Sequence, residues 1–115
     1  MNEREELLRR ELARLLEFLK KDDPPPEKVI LFGSMARGEP AAEWTDLDIV
    51  IIQPTSLPFF ERAVQFFERF QPKVAMDVFI YTPEEFAELV RTSRFFQEEV
   101  LEKGKVLYER SSKVA

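Results

Sequence analysis

Apolar residues near the start of the chain recur with a helical period. Leu8, Leu12, Leu15 and Leu19 follow one another at spacings of four, three and four, and Leu7 and Leu16 widen the stripe, so residues 3–21 are predicted to form an amphipathic helix. Glu5/Arg9, Glu6/Arg10 and Glu17/Lys21 stand at i, i+4 on its other faces and support it modestly. Pro24, Pro25 and Pro26 end it, because a run of prolines cannot continue a helix. The pattern then changes to short continuous apolar runs, the signature of strands buried on both faces. Lys28–Phe32 is one such run and enters a turn at Gly33; Leu47–Ile52 is the second, closed by Gln53-Pro54. Residues 33–45 between them hold two glycines and a proline and read as a loop with one helical turn.

A second amphipathic segment spans residues 57–70, with Phe60, Val64, Phe67 and Phe70 on one stripe and Pro72 after it. Val74–Tyr81 is the third strand. Thr82-Pro83-Glu84-Glu85 is a helix start, with Thr82 as cap, proline at the first position and glutamate at the third. That helix is predicted to run to about Val90 and to be followed by another from about Ser93 to Lys103, with Gly104 as its C-terminal cap. Val106–Tyr108 reads as a short edge strand, and the chain from Ser111 onward as a frayed tail. The order α-β-turn-β-α-β-α-α-β predicts an α/β (α+β) fold, a small mixed sheet flanked by helices, in one domain over residues 1–115 with its core at about 28–108.

Composition narrows the chemistry. With 11 Phe and 44% hydrophobic residues the chain can bury a core although 34% of it is charged. It has no Cys and no His, which removes disulfides, Cys/His zinc sites, thiol nucleophiles and imidazole bases. Any metal is therefore a hard ion taken by oxygen, Mg²⁺ or Mn²⁺ before zinc. A net charge of −5 argues against an extended nucleic-acid surface. No apolar run approaches the ~20 residues of a membrane span, and the charged start from Met1 to Arg10 is unlike a signal sequence, so the expected location is the cytoplasm.

Two places carry candidate chemistry. The first is Gly33-Ser34-Met35-Ala36-Arg37-Gly38, directly after a strand. Glycine at 33 permits a sharp turn and a close approach to the backbone. Free N–H groups and the hydroxyl at Ser34 would then face an anion, and Arg37, one turn on, can bring a guanidinium to the same place. Gly33 and Gly38 bracket four residues as in a Walker A loop, but Glu39-Pro40 stand where that loop needs Lys-Ser/Thr, so the P-loop reading fails. A plain strand-to-helix turn is the bland alternative.

The second place is a set of three carboxylates. Asp46 and Asp48 flank Leu47 at the mouth of the second strand, where side chains at i and i+2 share a face ~6.5–7 Å apart. Carboxylates so placed can serve two ions ~3.5–4 Å apart. Asp77 interrupts an apolar strand; Val74, Met76, Val78 and Ile80 take one face and leave Asp77 on the other with Ala75 and Phe79. Taken singly, Asp46 can be a turn residue and Asp77 an acceptor for a loop. Taken together with the glycine turn, the three point to a metal–phosphate site.

Leu31-Phe32-Gly33-Ser34, eleven intervening residues and Asp46-Leu47-Asp48-Ile49-Val50 resemble the signature of the polymerase-beta-like nucleotidyltransferase superfamily. The wording from Gly33 to Glu39, the short chain and the closing Gly104–Tyr108 are most similar to its minimal nucleotidyltransferase branch, over residues from about Val29 to Tyr108. The resemblance implies a polymerase-beta palm-like core and metal-dependent transfer of a nucleoside monophosphate, AMP from ATP, to an acceptor hydroxyl with release of pyrophosphate. It implies that Gly33 and Ser34 hold the triphosphate with Arg37 beside them. Asp46 and Asp48 would bind two Mg²⁺ ions, and Asp77 would hold the catalytic ion and help deprotonate the acceptor. The physics is compatible, since such transfers need positioning and charge neutralisation more than covalent chemistry.

The appended domains with which larger members select nucleotide and acceptor are absent from this sequence, so a partner or a second copy is expected to supply the acceptor site, as a homo- or hetero-oligomer. Minimal members are paired with an all-helical HEPN protein in toxin–antitoxin modules, which implies an antitoxin-type role with a separate HEPN chain as partner. The competing reading is a binding or assembly subunit with a vestigial site, against which the full aspartate set argues. Five Phe between residues 59 and 70 exceed what one helix face can bury, which points to a contact surface as well.

Overall fold

The computed structural model describes residues 2–42 and 45–110; the predicted tail from Ser111 lies outside them. Helix α1 (Glu3–Lys20) is capped by Asn2, whose side chain accepts from the Glu5 amide at 2.8 Å. Strands β1 (Lys28–Phe32) and β2 (Leu47–Ile52), helix α2 (Phe59–Phe70), strand β3 (Met76–Tyr81), helix α3 (Pro83–Thr92), a π-helical segment (Phe96–Glu102) and strand β4 (Lys105–Glu109) follow. The sheet runs β3-β2-β1-β4, with β1 antiparallel to both β2 and β4 and β2 parallel to β3. It is the mixed sheet the element order predicts, with β4 on one edge and β3 on the other.

Strand alternation sorts the core into two layers. Val29, Leu31, Leu47, Ile49, Ile51, Met76, Val78 and Ile80 face α1 and α2, meeting Leu8, Leu15, Leu19, Phe66 and Phe70. Ile30, Phe32, Val50 and Ile52 face the other way, under Phe86 of α3 and Val100 of the π-helical segment. β1 and β2 are therefore covered on both sides, as their unbroken apolar runs require. β3 alternates buried and exposed along its length, which puts Asp77 and Phe79 on the second face as predicted.

Several expectations are corrected. Leu7 lies outside the buried stripe of α1, and Glu11 takes an inward position instead. Its carboxylate accepts from the Arg14 guanidinium at 2.8 and 2.9 Å and from the Lys73 amide, so a buried charge is fully partnered. Glu6 pairs with Arg10 as expected, whereas Glu17 pairs with Lys20 rather than Lys21, the C-cap residue.

On α2 the predicted stripe is rotated. Phe60 and Val64 are 82% and 57% exposed, while Arg62, Phe66 and Phe70 turn inward. Arg62 decides the rotation: its guanidinium donates to the carbonyls of Leu57 (2.8 Å) and Ile80 (3.0 Å) and to the Glu85 carboxylate (2.6 Å), tying α2 to β3 and α3. A hydrophobicity pattern scores such an arginine as outward-facing. Glu85 also closes the predicted capping box with Thr82.

The last helix departs from α geometry. Lys103 donates to the Glu98 carbonyl, five residues back, at 3.0 Å. Gly104 is not a left-handed cap there; a Cβ on it would overlap the Val100 carbonyl and press on Ile30, so glycine serves close packing between this segment and β1.

Candidate active site

The carboxylates gather at the mouth of the parallel β2–β3 pair. Asp48 and Asp77 are direct partners across it, and Asp48 is also opposite Phe32 on β1. Adjacent strands lie only ~4.8 Å apart, so the two side chains on this shared face are held side by side. Asp48 is half-buried, and its carboxyl is pushed up from the usual 3.8 to about 6. Burial is the largest cause, followed by the charge of Asp77, a hydrogen bond with Asp77, and the charge of Asp46; Arg37 pulls weakly the other way. Asp46 and Asp77 are exposed. Among the described residues no three acidic side chains are drawn together closely enough to form a ready cation site. The expected convergence of three thus stands as a close Asp48–Asp77 pair with Asp46 beside it. Asp46 precedes β2 and is not fixed by the ladder, so its carboxylate is exposed to water yet close enough for its charge to act on Asp48.

The turn after β1 backs onto this pair. Gly33 adopts φ +79°, and a Cβ on it would overlap Oδ2 of Asp48. The Arg37 amide donates to the Gly33 carbonyl (3.1 Å) and the Glu39 amide to that of Ser34 (3.1 Å), making one helical turn that Gly38, at φ +78°, ends. Among the described residues, the amides of Ser34, Met35 and Ala36 have no acceptor, so this turn keeps donors available for an anion beside Asp48. Ala36 is buried and anchors the turn in the core.

Arg37 is not free. Its guanidinium donates to Glu39 (2.7 Å) and to Glu99 of the π-helical segment (3.3 Å), so binding an anion there means exchanging these carboxylates for it. Glu99 as its partner was invisible in the sequence, because 62 residues separate the two.

Beside the carboxylates a cavity of about 270 Å³ opens, with Asp48 and Asp77 at one end and Phe32, Phe79, Tyr81 and Phe95 along its walls. Phe95 stands edge-on to Phe32 with ring centroids 5.9 Å apart. The alternation of β3 placed Phe79 on this face in advance. Phe32 precedes Gly33 in the signature but reads from the sequence only as a strand residue, and Phe95 has no sequence signal marking it as a site residue.

The donor set suits a hard divalent cation: only carboxylate oxygens are offered, two adjacent and one at the rim, and a cation would offset both the burial and the neighbouring charges that raise Asp48. Gly33→Ala tests the junction of turn and carboxylate. The substitution forces a side chain into a left-handed conformation and displaces Asp48, so it is expected to cost about 1–3 kcal/mol of stability and to lose nucleotide binding. Urea unfolding and calorimetry with a nucleoside triphosphate measure the two effects; an unchanged affinity would mean the turn does not touch the ligand.

Comparison with known proteins bears on the same segment. No curated protein and no solved structure matches the chain. A family model described as the nucleotidyltransferase domain matches residues 12–100, more than three-quarters of the sequence, from within α1 through the glycine turn and both carboxylate strands to the π-helical segment. The elements that bring Gly33 against Asp48, and Asp48 beside Asp77, all lie inside that match, and the chain belongs to the nucleotidyltransferase domain family.

Proposed function

We propose that the protein transfers a nucleoside monophosphate, AMP from ATP, to a hydroxyl acceptor in a reaction that depends on Mg²⁺ or Mn²⁺. The observation that carries this reading is the placement of the Gly33 turn directly behind Asp48 and of Asp48 directly beside Asp77. A donor-rich turn suited to phosphate and an acidic pair suited to cations meet at one point. When bound, the ions would be held by Asp46, Asp48 and Asp77 and would supply charge neutralisation and polarisation of the phosphate.

The chain's own groups have distinct tasks in that reaction. The amides after Gly33 and the Ser34 hydroxyl orient the triphosphate, and Arg37 reaches it by leaving Glu39 and Glu99. The acceptor oxygen bonds to the α-phosphorus as the bond to the β-phosphate's bridging oxygen breaks, and pyrophosphate departs. The acceptor's proton passes to Asp77, which faces solvent and can release it. The aromatic cavity beside the carboxylates offers apolar walls to the part of a ligand next to them.

The acceptor is read as a group on a partner protein, in an antitoxin-type role opposite a HEPN chain, on the strength of the resemblance of the Gly33–Glu39 wording to minimal nucleotidyltransferases. A HEPN-type gene beside this one would support that pairing. Incubation with α-labelled ATP, Mg²⁺ and the candidate partner tests the transfer: label on the partner supports it, and stable association without label in the presence of Mg²⁺ or Mn²⁺ favours the binding-subunit reading.

Triphosphate binding is expected to require the metal. Arg37 is the cation of the turn and is already paired, so ATP would otherwise meet three carboxylates unshielded. Calorimetry should show binding of a non-hydrolysable ATP analogue with Mg²⁺ and none in EDTA. Tight binding in EDTA would overturn the two-ion arrangement.

A further inference from the structure

An apolar groove runs between α2 and α3, on the side of β3 away from the carboxylates' open end. It has a volume of about 520 Å³; Phe59, Tyr81 and Leu89 form its floor, and Glu84 and Glu88 its rim. Phe59 stacks on Tyr81 with ring centroids 5.4 Å apart, and Phe60 packs edge-on against Phe59 yet remains 82% exposed. Val64, one helical turn beyond Phe60, is also exposed. This is the face that the inward turn of Arg62 leaves on the surface. Arg62 and Glu85 neutralise each other beneath it, so they hold the groove's shape without adding net charge.

The geometry points to this groove as the docking site of a cationic amphipathic helix from another protein. Aromatic side chains on an open groove are what an apolar helix stripe fills. The charge of the rim selects the occupant. Glu88 is partly offset by Arg91, but Glu84 has no ion-pair partner among the described residues, and the exposed Glu61 adjoins Phe60. Lysine or arginine beside the apolar stripe would meet these carboxylates. A second copy of this chain, of net charge −5, would set acid against acid across the same patch, and an anionic lipid surface would be repelled likewise. Tyr81 lines both this groove and the carboxylate cavity, so on the transferase reading a docked chain adjoins the aromatic end of that cavity; the docking itself does not rest on that reading.

The probe is a Leu/Lys peptide patterned as an amphipathic helix, set against a Leu/Glu twin of the same pattern, titrated without nucleotide or metal and mapped by backbone amide shifts. The Leu/Lys peptide should bind, shift amides around Phe60, Tyr81 and Leu89, and weaken as salt is added. Phe60→Ala, at an exposed position that leaves the core intact, should weaken it about tenfold or more, and Glu84→Lys with Glu88→Lys should weaken it and remove most of the salt dependence. Equal binding of the Leu/Glu twin, or an affinity unchanged by Phe60→Ala, overturns the proposal. So does a dimer in sedimentation that Phe60→Ala dissolves, which would make a second copy the occupant, or Phe60-dependent binding to anionic vesicles. None of these results depends on whether AMP is transferred.

Discussion

Asp48→Asn should abolish nucleotidyl transfer while leaving the protein folded. Asp48 is the central carboxylate: Asp77 is its neighbour across the parallel pair, Asp46 is two residues before it, and the Gly33 turn packs against its Oδ2. An amide oxygen at that point is uncharged and a much weaker ligand for a hard ion. On the proposed reading the ion would supply several kcal/mol of transition-state stabilisation, so its loss should reduce the rate by about a thousandfold or more. Single-turnover transfer with labelled ATP is the measurement. A folded variant that transfers at the wild-type rate would remove Asp48 from the ligand set and with it the reading that places the chemistry here.

The same substitution should make the metal-free protein more stable, which separates lost activity from lost structure. With its carboxyl raised from 3.8 to about 6, Asp48 binds its proton more tightly in the folded state than in the unfolded one. Stability is therefore highest at low pH as far as this group is concerned, and it is lost as pH rises through the interval from about 4 to about 6. A shift of that size is worth about 3 kcal/mol if fully realised. The side chain is partly solvated, and screening lowers this to about 1–2 kcal/mol. For a chain of this size each kcal/mol moves the melting temperature by about 4 °C.

In EDTA at pH 7, Asp48→Asn should accordingly melt several degrees above wild type, and the gap should close by pH 4. Asp77→Asn should show a smaller gain, since it removes the charge and hydrogen bond of one neighbour but leaves Asp48 as buried as before. Mg²⁺ with a non-hydrolysable triphosphate should raise wild type more than either variant. If Asp77→Asn melts well below wild type in EDTA, Asp77 is a structural acceptor and the site has two working carboxylates. If Asp48→Asn does so, the Gly33 turn depends on Asp48 for its place, and the crowding of the three acids is not what limits the apo protein.

The strands were legible because their burial is extreme. Lys28–Phe32 and Leu47–Ile52 are covered on both faces, and a strand in that position admits no polar residue except for a reason. Asp48 stood out against that background, and on β3 the alternation of apolar residues fixed the face of Asp77 without any knowledge of its neighbours. The capping box at Thr82 and Glu85 was legible because it involves only four consecutive residues.

What failed to show in the sequence depends on pairing at a distance. The face of α2 follows from Arg62 reaching a carbonyl on β3, a carboxylate on α3 and the Leu57 carbonyl in the loop before α2, a partnership that turns a charged residue inward and leaves Phe60 and Val64 in solvent. Arg37 is a candidate phosphate ligand from its spacing alone, but Glu99, from a segment near the other end of the chain, sets what it must release to become one. Gly104 has the position of a helix cap, yet it is required by the approach of Val100 and Ile30. Local periodicity and spacing determine which residues form elements and which side of a strand they take, because those depend on neighbours one to four positions away. Which charges are neutralised, which aromatic rings remain uncovered and how tightly the carboxylates crowd depend on contacts between distant segments, and only the packed sheet and its helices decide them.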